Sequence, residues 1–487
     1  MANRLLSKSK YMNGLQCPKL LWLIYNDKEK VPGPNEATQA VFDQGHQVGE
    51  LAKRLFPGGI DVPCEDFKDN LKQTPKYMAE RKPVFESGFM VEGIFCRPDI
   101  LKPVESGKWD MVEVKSSTKV KPENIQDVAF QRHVCRKAGL DINKCYLAHI
   151  NNQYVRDGEY DPQQLFTIED ITDEVEEAAR GIDERIERMF EIIASPKCPD
   201  MPVGCHCKEP YECAVQVCWD ELPKHNIFNL YYGGKKCFEM FNQGIFFVKD
   251  IPANHKLNNK QKIQQWCEIN GKPHIDGESI RHFMQDVQYP VHYLDFETIN
   301  PGLPLYDGTK PYQRIPFQFS MHMDNGKGEL EQHAFLAEGQ ADPRLEFLNR
   351  LKKSIEPSGS IMVYNQAFEE SVLKELAEAF PEYNEWVDSV RVRLVDLLKP
   401  FQNFHYYHPD QSGSASIKHV MPAMTGEGYE GLGIAEGGAA SRAFLDATFG
   451  NLPEDQCKQI RTDLEKYCGR DTEGMAWILE KLKKVSK

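Results

Sequence analysis

The chain has 487 residues, of which 41% are hydrophobic and 27% are charged, and its formal net charge is −14 at pH 7. This composition is typical of globular proteins and excludes a disordered or fibrous chain. The sequence contains no apolar run long enough for a membrane span, and its first residues lack the apolar core of a signal peptide. We therefore expect a cytoplasmic protein whose 14 cysteines are metal ligands or packing residues rather than disulfides.

Composition and pattern divide the chain into three regions. Residues 1–225 and 286–487 each mix strand-like runs with helical patterns, which predicts two α/β or α+β domains. Residues 226–285 are mostly helical in pattern and carry 8 basic against 5 acidic side chains, so they form a basic region within an acidic chain. Their Gly-bounded turns resemble a degenerate helix–hairpin–helix, and a plain helical linker is the alternative.

In the first region, two neighbouring strand-like segments carry charged residues. Asp99 lies in the segment VEGIFCRPDIL, and Glu113 and Lys115 lie two residues apart in WDMVEVK. Residues two apart on a strand project from the same face, so two carboxylates and one ammonium group are expected to converge. Carboxylates in such a cluster bind Mg²⁺ or Mn²⁺, which predicts a site for phosphodiester hydrolysis.

The order of a histidine, an aspartate, the Glu-x-Lys pair and a glutamine resembles the RecB-like branch of the PD-(D/E)XK nucleases. It is similar in particular to the CRISPR-associated and AddB-type members that carry an iron–sulfur cluster. The resemblance covers residues 1–225 and implies a restriction-endonuclease-like fold. It implies Lys115 as the catalytic lysine and Gln131 as a residue that orients the site. The implied metal ligands are His46, Asp99 and Glu113.

A cysteine near the N-terminus and a cysteine-rich stretch at the end of the first region predict a shared metal site. Cys17 lies in GLQCPKLLW, and four further cysteines follow between residues 205 and 218. Thiolates favour zinc or an iron–sulfur cluster, and the spacing alone leaves both open. The resemblance implies a [4Fe–4S] cluster, with Cys205 as an alternative to Cys207. The implied ligands are Cys17, Cys207, Cys213 and Cys218.

The third region opens with an apolar strand that carries two acidic residues. In HYLDFETI, Asp295 and Glu297 share one face, where burial and repulsion disfavour two carboxylates unless a cation lies between them. VYNQAFEESVLKEL predicts a strand that runs into a helix near Glu369, and LEKYCGRDTEGMAWIL has Tyr467 and Asp471 four residues apart on one helix face. These acids are expected to hold two metal ions.

The order Asp-x-Glu, Asn-x-x-Phe-acid and Tyr-x-x-x-Asp resembles the DnaQ-like (DEDD) 3′–5′ exonucleases, which have a ribonuclease H-like fold. The resemblance covers residues 289–487 and implies that Tyr467 positions the attacking water. Glu369 stands where that superfamily usually has aspartate, and Asp396 is an alternative fourth ligand. The implied metal ligands are Asp295, Glu297, Glu369 and Asp471.

The two resemblances together predict a Mg²⁺- or Mn²⁺-dependent nuclease with two modules joined by a small helical segment. The expected partner is nucleic acid, with DNA favoured over RNA, and no membrane is involved. The expected setting is DNA repair, CRISPR adaptation or phage defence, within a larger complex. One alternative is that only one module cleaves, and another is a catalytically silent scaffold that binds nucleic acid.

Overall fold

The computed structural model of the protein describes residues 5–220 and 222–487. Its residues group into two units, each with its own sheets and helices. Unit 1 comprises residues 1–221 and 301–313, and unit 2 comprises residues 222–300 and 314–487. The sheets of both units are covered by helices, so the predicted α/β and α+β class is confirmed.

The described part of unit 1 contains nine strands and eight α-helices. The strands are β1 (Leu6–Ser7), β2 (Ile60–Asp61), β3 (Val84–Phe85), β4 (Phe89–Val91), β5 (Ile94–Cys96), β6 (Ile100–Pro103), β7 (Trp109–Lys115), β8 (Ile142–Ile150) and β9 (Phe166–Asp170). The helices are α1 (Lys8–Gln16), α2 (Pro18–Asn26), α3 (Glu36–Lys53), α4 (Phe67–Met78), α5 (Pro122–Lys137), α6 (Pro162–Leu165), α7 (Thr172–Ala178) and α8 (Ile182–Ala194).

The main sheet of unit 1 has six strands in the order β2-β3-β6-β7-β8-β9. Strand β7 pairs antiparallel with β6 and parallel with β8, and α5 forms the connection between β7 and β8. The first five residues of β7 are buried, as is typical of a central strand covered on both faces. A smaller sheet has the order β1-β5-β4. Helix α1 follows β1 directly and packs against α5, where Tyr11 stacks on Phe130 at a ring-centroid distance of 4.5 Å.

The described part of unit 2 contains seven strands and ten α-helices. The strands are β10 (His274–Ile275), β11 (Val291–Ile299), β12 (Ile315–Asp324), β13 (Leu330–Leu336), β14 (Ser360–Val363), β15 (Leu394–Asp396) and β16 (Tyr406–Tyr407). The helices are α9 (Lys235–Asn242), α10 (Asn259–Asn270), α11 (Gly277–Gln285), α12 (Arg344–Ser354), α13 (Gln366–Ala379), α14 (Asn384–Arg391), α15 (Lys399–Gln402), α16 (Ile417–Thr425), α17 (Gly437–Phe449) and α18 (Glu454–Val485).

The main sheet of unit 2 has five strands in the order β13-β12-β11-β14-β15. Strand β11 lies at its centre, antiparallel to β12 and parallel to β14. Helix α18 packs against β11 and β12, where Ser320 and Thr472 join their hydroxyls at 3.0 Å. Gly469 permits this close packing, because a Cβ atom at that position would lie 3.1 Å from Gln332 Nε2.

The residues of the predicted middle region, 226–285, belong to unit 2. They include α9, α10 and α11, as the helical pattern predicts, and also the short strand β10, which pairs with β16. The ring of Tyr231 packs edge-on against that of Phe404, with the two ring centroids 4.8 Å apart. Conversely, residues 301–313, which follow β11 in sequence, belong to unit 1, where Gly302 N donates to Gln44 Oε1. No α-helix among the described residues is long and apolar enough to cross a bilayer.

Candidate functional site

Two acidic residues of β11 lie at the centre of the unit 2 sheet. Asp295 and Glu297 share one face of the strand, and their partners across β12 are Ser320 and Gln318. The pairing register shifts directly after Glu297, between Glu297 and Thr298. Such irregularities re-aim side chains and are common beside active sites. The sequence pattern therefore predicts the shared face, and the shift in register marks its end.

Helix α18 brings a third carboxylate to this face. Asp295, Glu297 and Asp471 each offer an oxygen atom, and these three oxygens lie within 4.8 Å of one another. Hydrogen bonds between α18 and β12 fix this approach, since Gln318 Nε2 donates to Leu464 O at 2.8 Å. Oxygen ligands of this kind suit Mg²⁺ and Mn²⁺, so the residues present fit a divalent cation. We call this group of three the carboxylate trio.

Burial and repulsion between like charges raise the pKa values of the trio. Burial raises the pKa of Asp295 well above its usual range, and repulsion from Asp471 raises it further. The pKa of Glu297 is raised well above its usual range by burial and then by Asp295. Burial also raises the pKa of Asp471, to about 6, although a hydrogen bond from the Tyr429 hydroxyl opposes the shift. A bound cation would favour the ionised form of all three.

A fourth carboxylate, Glu369, lies in the first turn of α13. It is 1% exposed, and its Oε2 atom has no hydrogen-bond partner among the described residues. Burial raises its pKa well above the usual range, and the nearby Asp295 adds to the shift. Asp396, the alternative ligand, instead uses Oδ1 to accept from the backbone N–H groups of Asn365 and Leu398, at 3.1 and 3.0 Å. Glu369 thus has one oxygen, Oε2, without a partner among the described residues.

Aromatic and cationic side chains surround the trio. Tyr467 is 3% exposed, and hydrogen bonding from its hydroxyl, as from that of Tyr429, lowers the pKa of Asp471. The Lys418 ammonium lies 5.1 Å from the ring centroid of Tyr467 and 5.6 Å from that of Tyr429. The Cys468 thiol donates to Asp295 Oδ2 at 3.5 Å. No pattern in the sequence predicts Tyr429 as a site residue, because no fixed spacing links it to the acidic motifs.

In unit 1, β6 and β7 bring the first predicted pair of acids together. Ile100 pairs with Val112 in an antiparallel register, so Asp99, one residue before β6, lies beside Glu113. The Asp99 Oδ2 atom accepts the backbone N–H of Val114 at 2.7 Å. This bond fixes Asp99 against the strand that carries Glu113 and Lys115.

Helix α5 completes the unit 1 site with two residues. Lys115 Nζ contacts Glu113 Oε1 and Asp127 Oδ2, both at 2.7 Å. Gln131 Nε2 donates to Glu113 Oε2 at 2.7 Å and to Asp127 Oδ1 at 2.9 Å. The buried Gln131 Oε1 has no partner among the described residues. Asp127 was not predicted, although it lies one helical turn before Gln131.

A second lysine also reaches Glu113. Lys8 Nζ, from the first residue of α1, lies 2.8 Å from Glu113 Oε1. Burial opposes the charge on Glu113, but Lys115 and Lys8 outweigh it and hold the pKa of Glu113 well below its usual range. Burial and repulsion from Glu113 raise the pKa of Asp99 to about 7. Asp99 is therefore the carboxylate of this site that stays protonated most readily.

His46, the third metal ligand implied for this site, comes from an element outside the sheet that carries Asp99 and Glu113. It lies on α3 and is exposed. Within residues 5–220 and 222–487, it makes no hydrogen bond or ion pair with Asp99 or Glu113. The structure thus brings together Asp99, Glu113, Lys115 and Gln131, and the role of His46 as a ligand stays a prediction.

The four implied cysteine ligands line one pocket of unit 1, together with Leu20, Leu23, Val215 and Trp219. Burial raises the pKa of Cys17, Cys207 and Cys213, and each of these thiols is also close enough to Cys218 for repulsion to add to the shift. Cys205 is not among the described residues that line the pocket. Gln16 Nε2 ties this segment to α1 by donating to His206 O and Tyr211 O, at 2.8 and 2.7 Å.

Comparison with known proteins finds relatives over part of the chain. A family model described as "Domain of unknown function (DUF2779)" matches residues 292–416, which include Asp295, Glu297 and Glu369. Uncharacterized protein MG366 of Mycoplasma genitalium is 27% identical over 265 residues, which are 47% of this chain and 40% of that protein. Its Mycoplasma pneumoniae homolog is 25% identical over 257 residues, which are 49% of this chain and 38% of that protein. The chain spans about two fifths of the length of these two curated relatives.

Proposed function

We propose that the protein is a metal-dependent nuclease with two modules, in which unit 1 is a RecB-like PD-(D/E)XK module and unit 2 a DnaQ-like 3′–5′ exonuclease module. Nucleic acid is its substrate, with DNA favoured over RNA, and DNA repair, CRISPR adaptation or phage defence in the cytoplasm is its setting. The single observation that carries the proposal is the convergence of the carboxylate trio, with Glu369 nearby and its Oε2 atom lacking a partner among the described residues.

The chemistry of unit 2 supports hydrolysis. Three buried carboxylates and the half-buried Asp295 within one unit disfavour the metal-free folded state, and such an arrangement is retained where function requires it. Divalent cations bound there would supply charge stabilisation for a phosphodiester during its cleavage. The Tyr467 hydroxyl would hold the attacking water, and Lys418 would neutralise part of the phosphate charge. The central β11, flanked by an antiparallel and a parallel strand, is compatible with a ribonuclease H-like fold.

The chemistry of unit 1 supports a second site. Asp99 and Glu113 offer oxygens for a divalent cation, and Lys115 holds an ammonium group beside them. The strand order β6-β7-β8, with α5 between β7 and β8, is compatible with a PD-(D/E)XK core. The partly exposed Lys115 would contact the phosphate or orient the water, as the resemblance implies.

The converging thiols support a [4Fe–4S] cluster rather than zinc. Four sulfur atoms around one zinc ion at about 2.3 Å lie roughly 3.8 Å apart. The carboxylate trio is the one set of three or more potential ligand atoms that lie within 4.8 Å of each other in the described parts of the chain. The thiols are therefore spread more widely than one zinc ion requires, which favours the larger cluster that the resemblance implies.

The test is a cleavage assay with end-labelled single- and double-stranded DNA and RNA in Mn²⁺. Wild type is compared with Glu113→Gln for unit 1 and Asp295→Asn for unit 2, both of which remove charge and keep shape. Glu105→Gln and Glu331→Gln are matched controls, because both glutamates are exposed. We expect each site variant to abolish its own product pattern, with stepwise 3′ shortening lost in Asp295→Asn. Loss of all cleavage in one variant alone supports a single active module, and no cleavage by folded wild type supports the scaffold.

A further inference from the structure

Lys8 is an active-site lysine that the sequence motifs do not include. Its Nζ atom lies 2.8 Å from Glu113 Oε1 and 3.6 Å from Asp127 Oδ1. The Glu113 oxygen that it contacts also accepts from Lys115 Nζ at 2.7 Å. Two ammonium groups thus share one oxygen of Glu113, and both also lie near Asp127.

The exposure of these groups shows which side faces solvent. The side chain of Glu113 is 1% exposed, whereas those of Lys8 and Lys115 are 29% and 24% exposed. The two ammonium groups therefore lie between the buried carboxylate and the solvent. A molecule that approaches this side first meets two adjacent ammonium groups, which are the donors that a phosphate would contact.

The position of Lys8 is fixed by packing rather than by its ion pairs alone. Tyr11, one turn further along α1, stacks on Phe130 of α5, the residue next to Gln131. The Tyr11 hydroxyl accepts from Arg185 Nε at 3.0 Å. Cys17 follows the other end of α1 and lines the thiol pocket. The helix is therefore held against α5 at its middle and leads into the thiol pocket at its far end.

We propose that Lys8 is a further substrate-binding residue of the unit 1 site, and that its ammonium group, with that of Lys115, binds a phosphate of the nucleic-acid strand. The inference rests on the proposed nuclease function of unit 1. Lysine binds phosphate as a compact point charge, and at this position it needs no rearrangement of the helix. Its contact with Glu113 keeps the ammonium group in place before the strand arrives.

The first test measures binding of a fluorescein-labelled single-stranded DNA 20-mer in EDTA at several salt concentrations. It compares Lys8→Gln with Lys10→Gln, a matched control on the same helix whose Nζ lies over the Tyr25 ring instead of in the site. On a single strand, each phosphate contact contributes about 0.7 to the slope of log K against log salt. We expect Lys8→Gln to lower affinity and reduce this slope by about 0.7. We expect Lys8→Arg to restore both and Lys10→Gln to match wild type. Equal slopes for the Lys8 and Lys10 variants would overturn the proposal.

A second readout separates phosphate binding from mere support of Glu113. Titration of Mn²⁺ into Asp295→Asn protein, with and without Lys8→Gln, reports the affinity of the unit 1 carboxylates. Because Lys8→Gln removes a positive charge beside Glu113, we expect Mn²⁺ affinity to stay equal or to rise. A fall in Mn²⁺ affinity would mean that Lys8 only positions the carboxylate and would overturn the proposal. If wild type neither binds nor cleaves any strand and Lys115→Gln changes nothing, the proposed nuclease function fails as well.

Discussion

Lys8 and Cys17 lie at the two ends of helix α1. Lys8 is the first residue of α1 and reaches Glu113, whereas Cys17 follows its last residue and lines the thiol pocket. Nine residues of helix thus connect the pocket to the acidic site. A cluster bound by the thiols would hold α1, and with it Lys8, in position.

This connection predicts different effects for two cysteine substitutions. We expect Cys17→Ser to remove the bound iron and sulfide, to lower the melting temperature of unit 1 and to reduce its cleavage. A loss of about 3 kcal/mol corresponds to roughly 6–12 °C for a unit of this size. Cys205→Ser is the matched control, because Cys205 does not line the pocket among the described residues.

The measurements are iron and sulfide content, visible absorbance and thermal unfolding of protein purified without oxygen. Cleavage that depends on Asp295 should persist in Cys17→Ser, because the trio belongs to unit 2. Retention of iron by Cys17→Ser, or its loss from Cys205→Ser, would contradict the assignment of ligands. Zinc in place of iron would leave the thiol ligands intact and reject the cluster.

The carboxylate trio predicts that a loss of charge stabilises the metal-free protein. Asp295→Asn removes a buried charge that lies against Glu297 and Asp471. In EDTA at pH 8 we expect this variant to be more stable than wild type by about 1–2 kcal/mol, as is common when an active-site constraint is removed. Differential scanning calorimetry measures this, and Glu331→Gln, an exposed acid of the same sheet, should leave stability unchanged.

Addition of Mn²⁺ should reverse the order of stability. Wild type gains stability from a ligand that binds only the folded state, whereas Asp295→Asn loses a ligand oxygen. We therefore expect a large rise in melting temperature for wild type and little rise for the variant. Equal rises in both proteins would place the cation away from Asp295.

The sequence could predict which site residues lie close together within a single strand or helix. Asp295 and Glu297 follow from the two-residue period of a strand, and Tyr467 and Asp471 follow from the four-residue spacing of a helix. Lys8 lies 105 residues before Glu113, and no spacing rule connects a helix end with a distant strand. Such contacts depend on how α1 packs, which the sequence pattern does not encode.

The same limit applies to the fold. The mixture of strands and helices is visible as changes of period along the chain. The pairing of β10 with β16 joins residues more than a hundred positions apart, and residues 301–313 leave the unit that their neighbours form. Both depend on tertiary packing, so the sequence divides the chain into consecutive regions whereas the structure does not.

The raised pKa values predict how the metal-free protein responds to pH. Asp99 and Asp471 have folded-state pKa values of about 7 and about 6, against 3.8 for an ordinary aspartate. The folded state therefore binds these two protons more tightly than the unfolded state does. The stability that this binding contributes is fully present below about pH 4 and is lost as the pH rises through 6 and 7. We expect Asp99→Asn and Asp471→Asn to flatten the fall in melting temperature between pH 5 and pH 8 in EDTA.

Thermal unfolding at fixed ionic strength measures this dependence, with Glu331→Gln as the control for a simple loss of charge. Saturating Mn²⁺ should also flatten the profile in wild type, since a cation favours ionised carboxylates over protonated ones. If the melting temperature fell more steeply with pH in Asp99→Asn than in wild type, the pKa of Asp99 would not be raised in the folded state.

The last prediction concerns Tyr467 and distinguishes a role in catalysis from a role in metal binding. Its hydroxyl lies beside Asp471 without being one of the trio, so Tyr467→Phe should leave the Mn²⁺-dependent rise in melting temperature intact. If the hydroxyl holds the attacking water, kcat for 3′ shortening should fall about 10²-fold or more while KM changes little. Tyr383→Phe is the matched control, because it removes the hydroxyl of another buried tyrosine of unit 2, which donates to Asn349 Oδ1 at 2.7 Å. An unchanged kcat in Tyr467→Phe would assign the water to another group, and a lost Mn²⁺ response would instead make Tyr467 part of the metal site.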